Sequence, residues 1–276
     1  MIPLKDNIPT DRFAIITLLI IAINVVVFIL FEGASLSGEQ VKTKPVIGYG
    51  AVPYRITHPG KDCELARVQD VTTGAVGEDI VCEGTNAYRQ ASAAGAIEQV
   101  DQPPWFVTLF SSMFMHGGWL HILFNMLFLW IFGNNVEDAM GRIRYVLFYL
   151  LGGLVALMTQ VLVHPDSTVP TVGASGAIAA VLGGYLLLYP RARILSVVFL
   201  FFFFTFIEIP AMVMLGIWFL LQFLPAVGQL STPDVAGGGG VAYFAHVGGF
   251  IFGLAAISLF AHRKSTHYEQ PRLPVY

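Results

Sequence analysis

The chain predicts an all-α polytopic membrane protein, a bundle of six transmembrane helices with a long first extracytoplasmic loop. Three observations carry that expectation. Of the 276 residues, 55% are hydrophobic and only 12% charged, whereas soluble domains carry about 25% charged residues. Mean hydropathy is +0.69, more apolar surface than a soluble globule of this length can hide. The apolar residues also fall into discrete uncharged runs of about the length that crosses a bilayer.

Taken in order, residues 1–12 form a short polar N-terminus and 13–31, "FAIITLLIIAINVVVFILF", the first span. A signal peptide is the rival reading of that run, but no small-x-small cleavage site follows it. Residues 32–104 mix charges, prolines and glycines with both cysteines, Cys63 and Cys82, and read as an extramembrane insertion. Five further runs cover about 119–133, 145–163, 172–189, 209–224 and 243–260, leaving a polar tail at 261–276. The stretch 194–208 is too much to belong to the fifth span, and it reads as interfacial or half-inserted. Glu208 within it is either a functional flag or, as the plainer reading, the partner of a helix dipole at a cytoplasmic helix start.

Lys and Arg placement sets the orientation. With the N-terminus inside, Lys5, Arg12, Arg142, Arg144, Arg191, Arg193, Arg263, Lys264 and Arg272 are all cytoplasmic, and the outer loops 164–171 and 227–242 carry no Lys or Arg. Both termini then lie in the cytoplasm, and an inner, plasma-type membrane is the expected location. Both cysteines fall on the outer side. They form either a disulfide, which persists in an oxidising compartment, or two free thiols. A net charge of −3 gives no reason to expect a nucleic-acid partner. "GGGG" at 237–240 lacks the Lys-Ser/Thr of a phosphate loop.

Polar residues inside the runs need a reason. His121 and Asn125 in "HGGWLHILFNMLFLW" are four apart and share a helix face. They could bond between packed helices or converge on one point. Ser175 lies in "GASG", between Gly173 and Gly176, at the start of a span. It is a small packing residue, or a nucleophile beside free backbone N–H groups and the positive end of a helix dipole. His246 in "AHVGG" begins the last span, and Gly249 and Gly253 follow at small-xxx-small spacing. Alternating spans place the starts of the second, fourth and sixth at one membrane face. His121, Asn125, Ser175 and His246 can therefore share one depth.

At these residues the chain resembles the rhomboid family of intramembrane serine proteases. The likeness rests on "HGGWLHILFNMLFLWIFGNNVEDAMGRIRYVLFYLLGG", the Gly-x-Ser-Gly of 173–176, and "AHVGG" with Gly253, in that order. It implies a rhomboid-like catalytic core over 105–260 with Ser175 as nucleophile and His246 as general base. It implies His121, Asn125 and the Ser175 amide as oxyanion donors, and Glu137, Gly141 and Arg142 as a structural turn. Two positions depart from the family's common pattern. Trp105 has no neighbouring Arg, and Ala179 stands where some members stack a Tyr on the histidine.

The implied activity is a serine endopeptidase that cuts single-pass membrane proteins in or near their spans, within the lipid bilayer and without metal or cofactor. No His-Glu-x-x-His motif and no intramembrane Asp pair supports another protease chemistry. The competing class is a non-catalytic rhomboid-like protein that binds client spans. A transporter fits less well, because charges within the runs are nearly absent.

Overall fold

A computed structural model describes residues 2–33, 42–69, 76–200, 203–231 and 241–262. Most of the C-terminal tail and the "GGGG" segment lie outside them. Helix α1 (Ile15–Val26) continues through a π-helical turn to Phe31. The insertion holds α2 (Thr43–Tyr49), α3 (Pro53–Thr57), β2 (Cys63–Gln69), β3 (Val76–Cys82), α4 (Asn86–Ala93) and β4 (Ile97–Glu98). After α5 (Trp105–Ser111), α6 (Trp119–Phe128) runs through a π turn into α7 (Asn134–Met140). Then come α8 (Arg142–Val163), α9 (Ser175–Leu188), α10 (Ala211–Ser231) and α11 (Tyr243–Phe260). Strand β1 (Ile2–Asp6) precedes all of these, and β5 (Arg193–Leu200) and β6 (Phe203–Pro210) join α9 to α10.

Four of the described helices are long and apolar enough to cross a membrane: Trp119–Met140, Arg142–Val163, Ala211–Leu230 and Tyr243–Phe260. The protein is a multi-pass membrane protein. The expected first and fourth spans are shorter helices, Ile15–Phe31 and Ser175–Leu188. For α9 the reason is packing. Every residue from Gly176 to Tyr185 is buried, so protein rather than lipid surrounds it and it need not reach both faces.

The all-α expectation is corrected in two places. The insertion is no plain loop but carries a sheet of order β3-β2-β4. Cys63 and Cys82 are directly paired across the β2–β3 ladder, and their sulfurs are joined. The stretch 194–208 forms most of an antiparallel hairpin, β5–β6, with β1 paired to the outer edge of β5. Its β-branched and aromatic residues favour the pleat. Glu208 sits on β6, just before α10, and pairs with Arg193 at 3.5 Å.

Three joints hold the bundle in register. Between α7 and α8, Gly141 takes φ 78°, the left-handed region open to glycine. The Glu137 carboxylate accepts from the N–H groups of Ile16 and Thr17 and from the Thr17 hydroxyl at 2.8–3.0 Å. It thus caps the start of α1 with negative charge. Arg142 opens α8 with an exposed side chain. The Asp6 carboxylate accepts from Asn135 Nδ2 and the Tyr185 hydroxyl, each at 2.6 Å, and ties β1 to α7 and α9.

The third joint packs α11 against α9. A β-carbon built at Gly249 would lie 2.2 Å from the Gly176 carbonyl oxygen, and one at Gly253 2.0 Å from that of Ala180. From the opposite side, Gly183 stands 2.2 Å from the Phe250 oxygen by the same measure. The two backbones touch, as small residues allow in membrane helices.

Gly253→Ala must push these helices apart and is expected to destabilise by roughly 1–3 kcal/mol. Gly216→Ala on α10, whose added carbon meets nothing within 4 Å, should be neutral or up to about 1 kcal/mol stabilising. Thermal melts of the two purified variants compare them. Burial pushes the Asp6 carboxyl up to about 6, against the pull of the Tyr185 hydrogen bond. A raised carboxyl contributes its stability below the ordinary value near 4 and loses it as pH rises through 6. Melting should drop across that window by roughly 2–3 kcal/mol, and Asp6→Asn should flatten the profile. Reducing the disulfide should weaken the insertion by about 3 kcal/mol. Hydrogen exchange should then rise across β2 and β3 and not across α9 and α11.

Candidate active site

The approach to Ser175 is built by glycine. Gly173 takes φ 124°, and its N–H donates to the Ser112 carbonyl at 2.9 Å. Ala174 then starts α9, with Ser175 as first helical residue and no side chain capping that end. The first-turn N–H groups and the positive dipole end are left for another acceptor.

On α11, His246 is buried, and its Nε2 lies 2.7 Å from Ser175 Oγ. Residues 71 apart in sequence thus meet at hydrogen-bond distance. The backbone contact of α9 with α11, one turn below, fixes their spacing. The other ring nitrogen, Nδ1, is 2.8 Å from Gln222 Oε1 on α10. Trp218, one turn earlier on α10, packs on the imidazole with centroids 6.0 Å apart.

From α6, His121 faces the same point. A β-carbon at Gly173 would lie 2.8 Å from His121 Nε2 and 3.6 Å from Ser175 Oγ. The Gly117 N–H donates to His121 Nδ1 at 3.3 Å. In a neutral ring the proton then sits on Nε2, the nitrogen turned toward the serine. Asn125 donates from Nδ2 back to the His121 carbonyl at 2.8 Å, which commits one of its two N–H bonds. The turn before α6 is held by Glu32, whose buried carboxylate accepts the His116 N–H at 2.8 and 3.1 Å. The His116 ring stands edge-on to His121 at 5.0 Å.

Ser175, His246, His121 and Asn125 line a cleft of about 1710 Å³, with Trp119 and Phe124 of α6, Trp218 and Gln222 of α10, and the loop before α9 on its walls. The insertion seats on that loop. Ala51 and Thr171 exchange both backbone hydrogen bonds, at 3.1 and 2.8 Å, and the Tyr54 N–H donates to the Ser167 carbonyl at 3.0 Å. Among the described residues, no three His, Cys, Asp or Glu side chains gather as metal ligands do.

The structure thus brings together Ser175, His246, His121 and Asn125, with Gly173 among them. Gly176, Gly249 and Gly253 lie in the helix contact beneath. Glu137, Gly141 and Arg142 lie at the joints of α1, α7 and α8, and Cys63 and Cys82 in the insertion. Sequence reasoning missed Gln222, Trp218, Glu32 and His116. The one signal for Gln222 was that it is an amide in an otherwise apolar run.

Known proteins share the part of the chain that carries these residues. A family model described as the Rhomboid domain matches residues 104–263. The mitochondrial Rhomboid protein 1 of Saccharomyces cerevisiae is 30% identical over 152 residues, 54% of this chain and 40% of that protein. RHOMBOID-like protein 2 of Arabidopsis thaliana is 28% identical over 220 residues, 80% of this chain and 63% of that protein. The Rhomboid protease GluP of Bacillus subtilis is 36% identical over 96 residues, 34% of this chain and 18% of that protein. The chain spans less than two thirds of the length of each of these relatives. With the family's domain matched over more than half of its length, the chain belongs to the rhomboid family.

Proposed function

We propose that this protein is an intramembrane serine endopeptidase working through a Ser175–His246 dyad. The observation that carries the reading is the 2.7 Å contact between Ser175 Oγ and His246 Nε2 at an uncapped helix start. A serine hydroxyl is a weak nucleophile until an adjacent base takes its proton. His246 Nε2 accepts that proton as Oγ attacks the scissile carbonyl carbon. The tetrahedral oxyanion then forms beside the Ser175 N–H, His121 Nε2–H and the remaining Asn125 N–H, donors fixed before the charge appears. His246 returns the proton to the leaving amine, and an ester to Ser175 remains. Water, activated by the same imidazole, hydrolyses it.

The substrates in this reading are single-pass membrane proteins, cut in or near the span. The cleft has apolar walls from α6 and α10 and opens to groups water can reach. The topology proposed is six membrane-embedded segments, the insertion outside and both termini in the cytoplasm. The chain's own Lys and Arg distribution supports that orientation, and an inner, plasma-type membrane is the location proposed. The mitochondrial relative is evidence about its own location alone.

The test is a digest of a model single-span protein in liposomes, with products identified by mass spectrometry. Ser175→Ala and His246→Ala should each cut turnover by on the order of 10⁴-fold or more while melting stays near wild type. Asn125→Ala should lose about 10²–10³-fold. A fluorophosphonate probe should label Ser175 only while His246 is present. Cleavage at a normal rate by Ser175→Ala would overturn the assignment. A folded wild type that cuts nothing across a broad panel and takes no probe would favour client binding without catalysis.

A further inference from the structure

His246 serves as a base only in one of its two neutral tautomers. For Nε2 to accept the Ser175 proton, Nδ1 must carry one, and that N–H is buried. A buried donor without an acceptor is costly. Among the described residues, the structure gives His246 Nδ1 one hydrogen-bond partner, Gln222 Oε1 at 2.8 Å. An amide that presents oxygen stabilises the Nδ1–H form. Presenting its NH₂ instead would draw the lone pair to Nδ1 and leave Nε2–H facing the serine, the form that cannot accept a proton.

Two further observations make this a built arrangement. Ala179, one turn beyond Ser175, is too small to stack on the imidazole. An aromatic neighbour comes instead from another helix: the Trp218 ring stands 6.0 Å from the imidazole, tilted 37° against it. Trp218 and Phe219 also pack on Phe250, the latter stacked with centroids 4.7 Å apart. One patch of α10 therefore supplies the ring contact and the acceptor, and its aromatic neighbours pin it to α11 one turn below the histidine.

We propose that Gln222 is the positioning residue of the general base: it selects the reactive tautomer of His246, and it does so only while α10 is packed on α11. The proposal rests on the Ser175–His246 reading for its catalytic meaning. Its structural content is the tautomer. Movement of α10 away from α11 then disarms the base along with widening the cleft, so access and proton transfer are linked through one side chain.

The experiment uses the full chain in lipid nanodiscs, with Gln222→Met, which keeps length but removes the acceptor, and Gln222→Glu, which keeps an acceptor oxygen at the same reach. Turnover, KM, fluorophosphonate labelling rate and melting are measured, together with ¹⁵N NMR of selectively labelled histidine. Gln222→Met should lose roughly ten- to a hundredfold in kcat and in labelling rate, with KM within about twofold and melting unchanged. Its His246 signal should move from the Nδ1–H form toward mixed tautomers. Gln222→Glu should restore at least a tenth of the wild-type rate and hold the proton on Nδ1. Wild-type kcat in Gln222→Met, or equal losses in both variants that follow lowered melting, would overturn the proposal. If the wild type neither cleaves nor labels, the dyad reading fails by itself. The ¹⁵N spectra then decide alone: an unaltered His246 tautomer in Gln222→Met would sink this inference, and a shifted one would sustain it.

Discussion

The contact between the backbones of α9 and α11 is the constraint on which the rest depends. Gly249 lies over one carbonyl of α9 and Gly253 over the next turn's, while Gly183 answers from the other side. No side chain intervenes, so the helices hold a separation set by main-chain atoms rather than by rotamers. Ser175 and His246 sit just above this contact and inherit its precision. A 2.7 Å hydrogen bond between residues on different membrane helices needs such a base. Each added methyl would shift it by a large fraction of its own length.

Around that rigid pair, the polar groups are placed by short segments, each tied by backbone hydrogen bonds. Glu32 anchors the turn before α6, Gly117 fixes the His121 ring, and Ser112 receives the Gly173 N–H. The insertion adds the bridge from Ala51 to Thr171. Glu32, Ser112 and Ala51 are buried. The bundle can therefore show apolar side chains outward, such as Leu120, Leu151 and Leu224, while its interior keeps polar geometry.

Much of the site is legible in the amino-acid sequence. Gly-x-Ser-Gly and "AHVGG" carry their glycines because backbone must approach backbone, and that need leaves a mark in the residues themselves. His121 and Asn125 are legible through helical spacing. The hairpin is not. Residues 194–208 are apolar on both faces, which hides the period of two. The shortness of α9 is equally hidden, because hydropathy measures apolarity and cannot tell a lipid neighbour from a protein one. Gln222 lies beyond reach for a different reason: its meaning comes from a partner 24 residues away on a separate helix.

The buried position of α9 has a consequence for how the membrane acts on this protein. Bilayers of different thickness change the tilt of long apolar helices at a small cost per ångström of mismatch. Helices such as α10, with Met212, Ile217, Leu221 and Leu224 exposed, offer that force a handle. The middle of α9 has none, since its neighbours are other helices. Lipid composition would therefore tune the protein through its outer staves, leaving the serine's own helix mechanically insulated, like an axle inside a flexible housing.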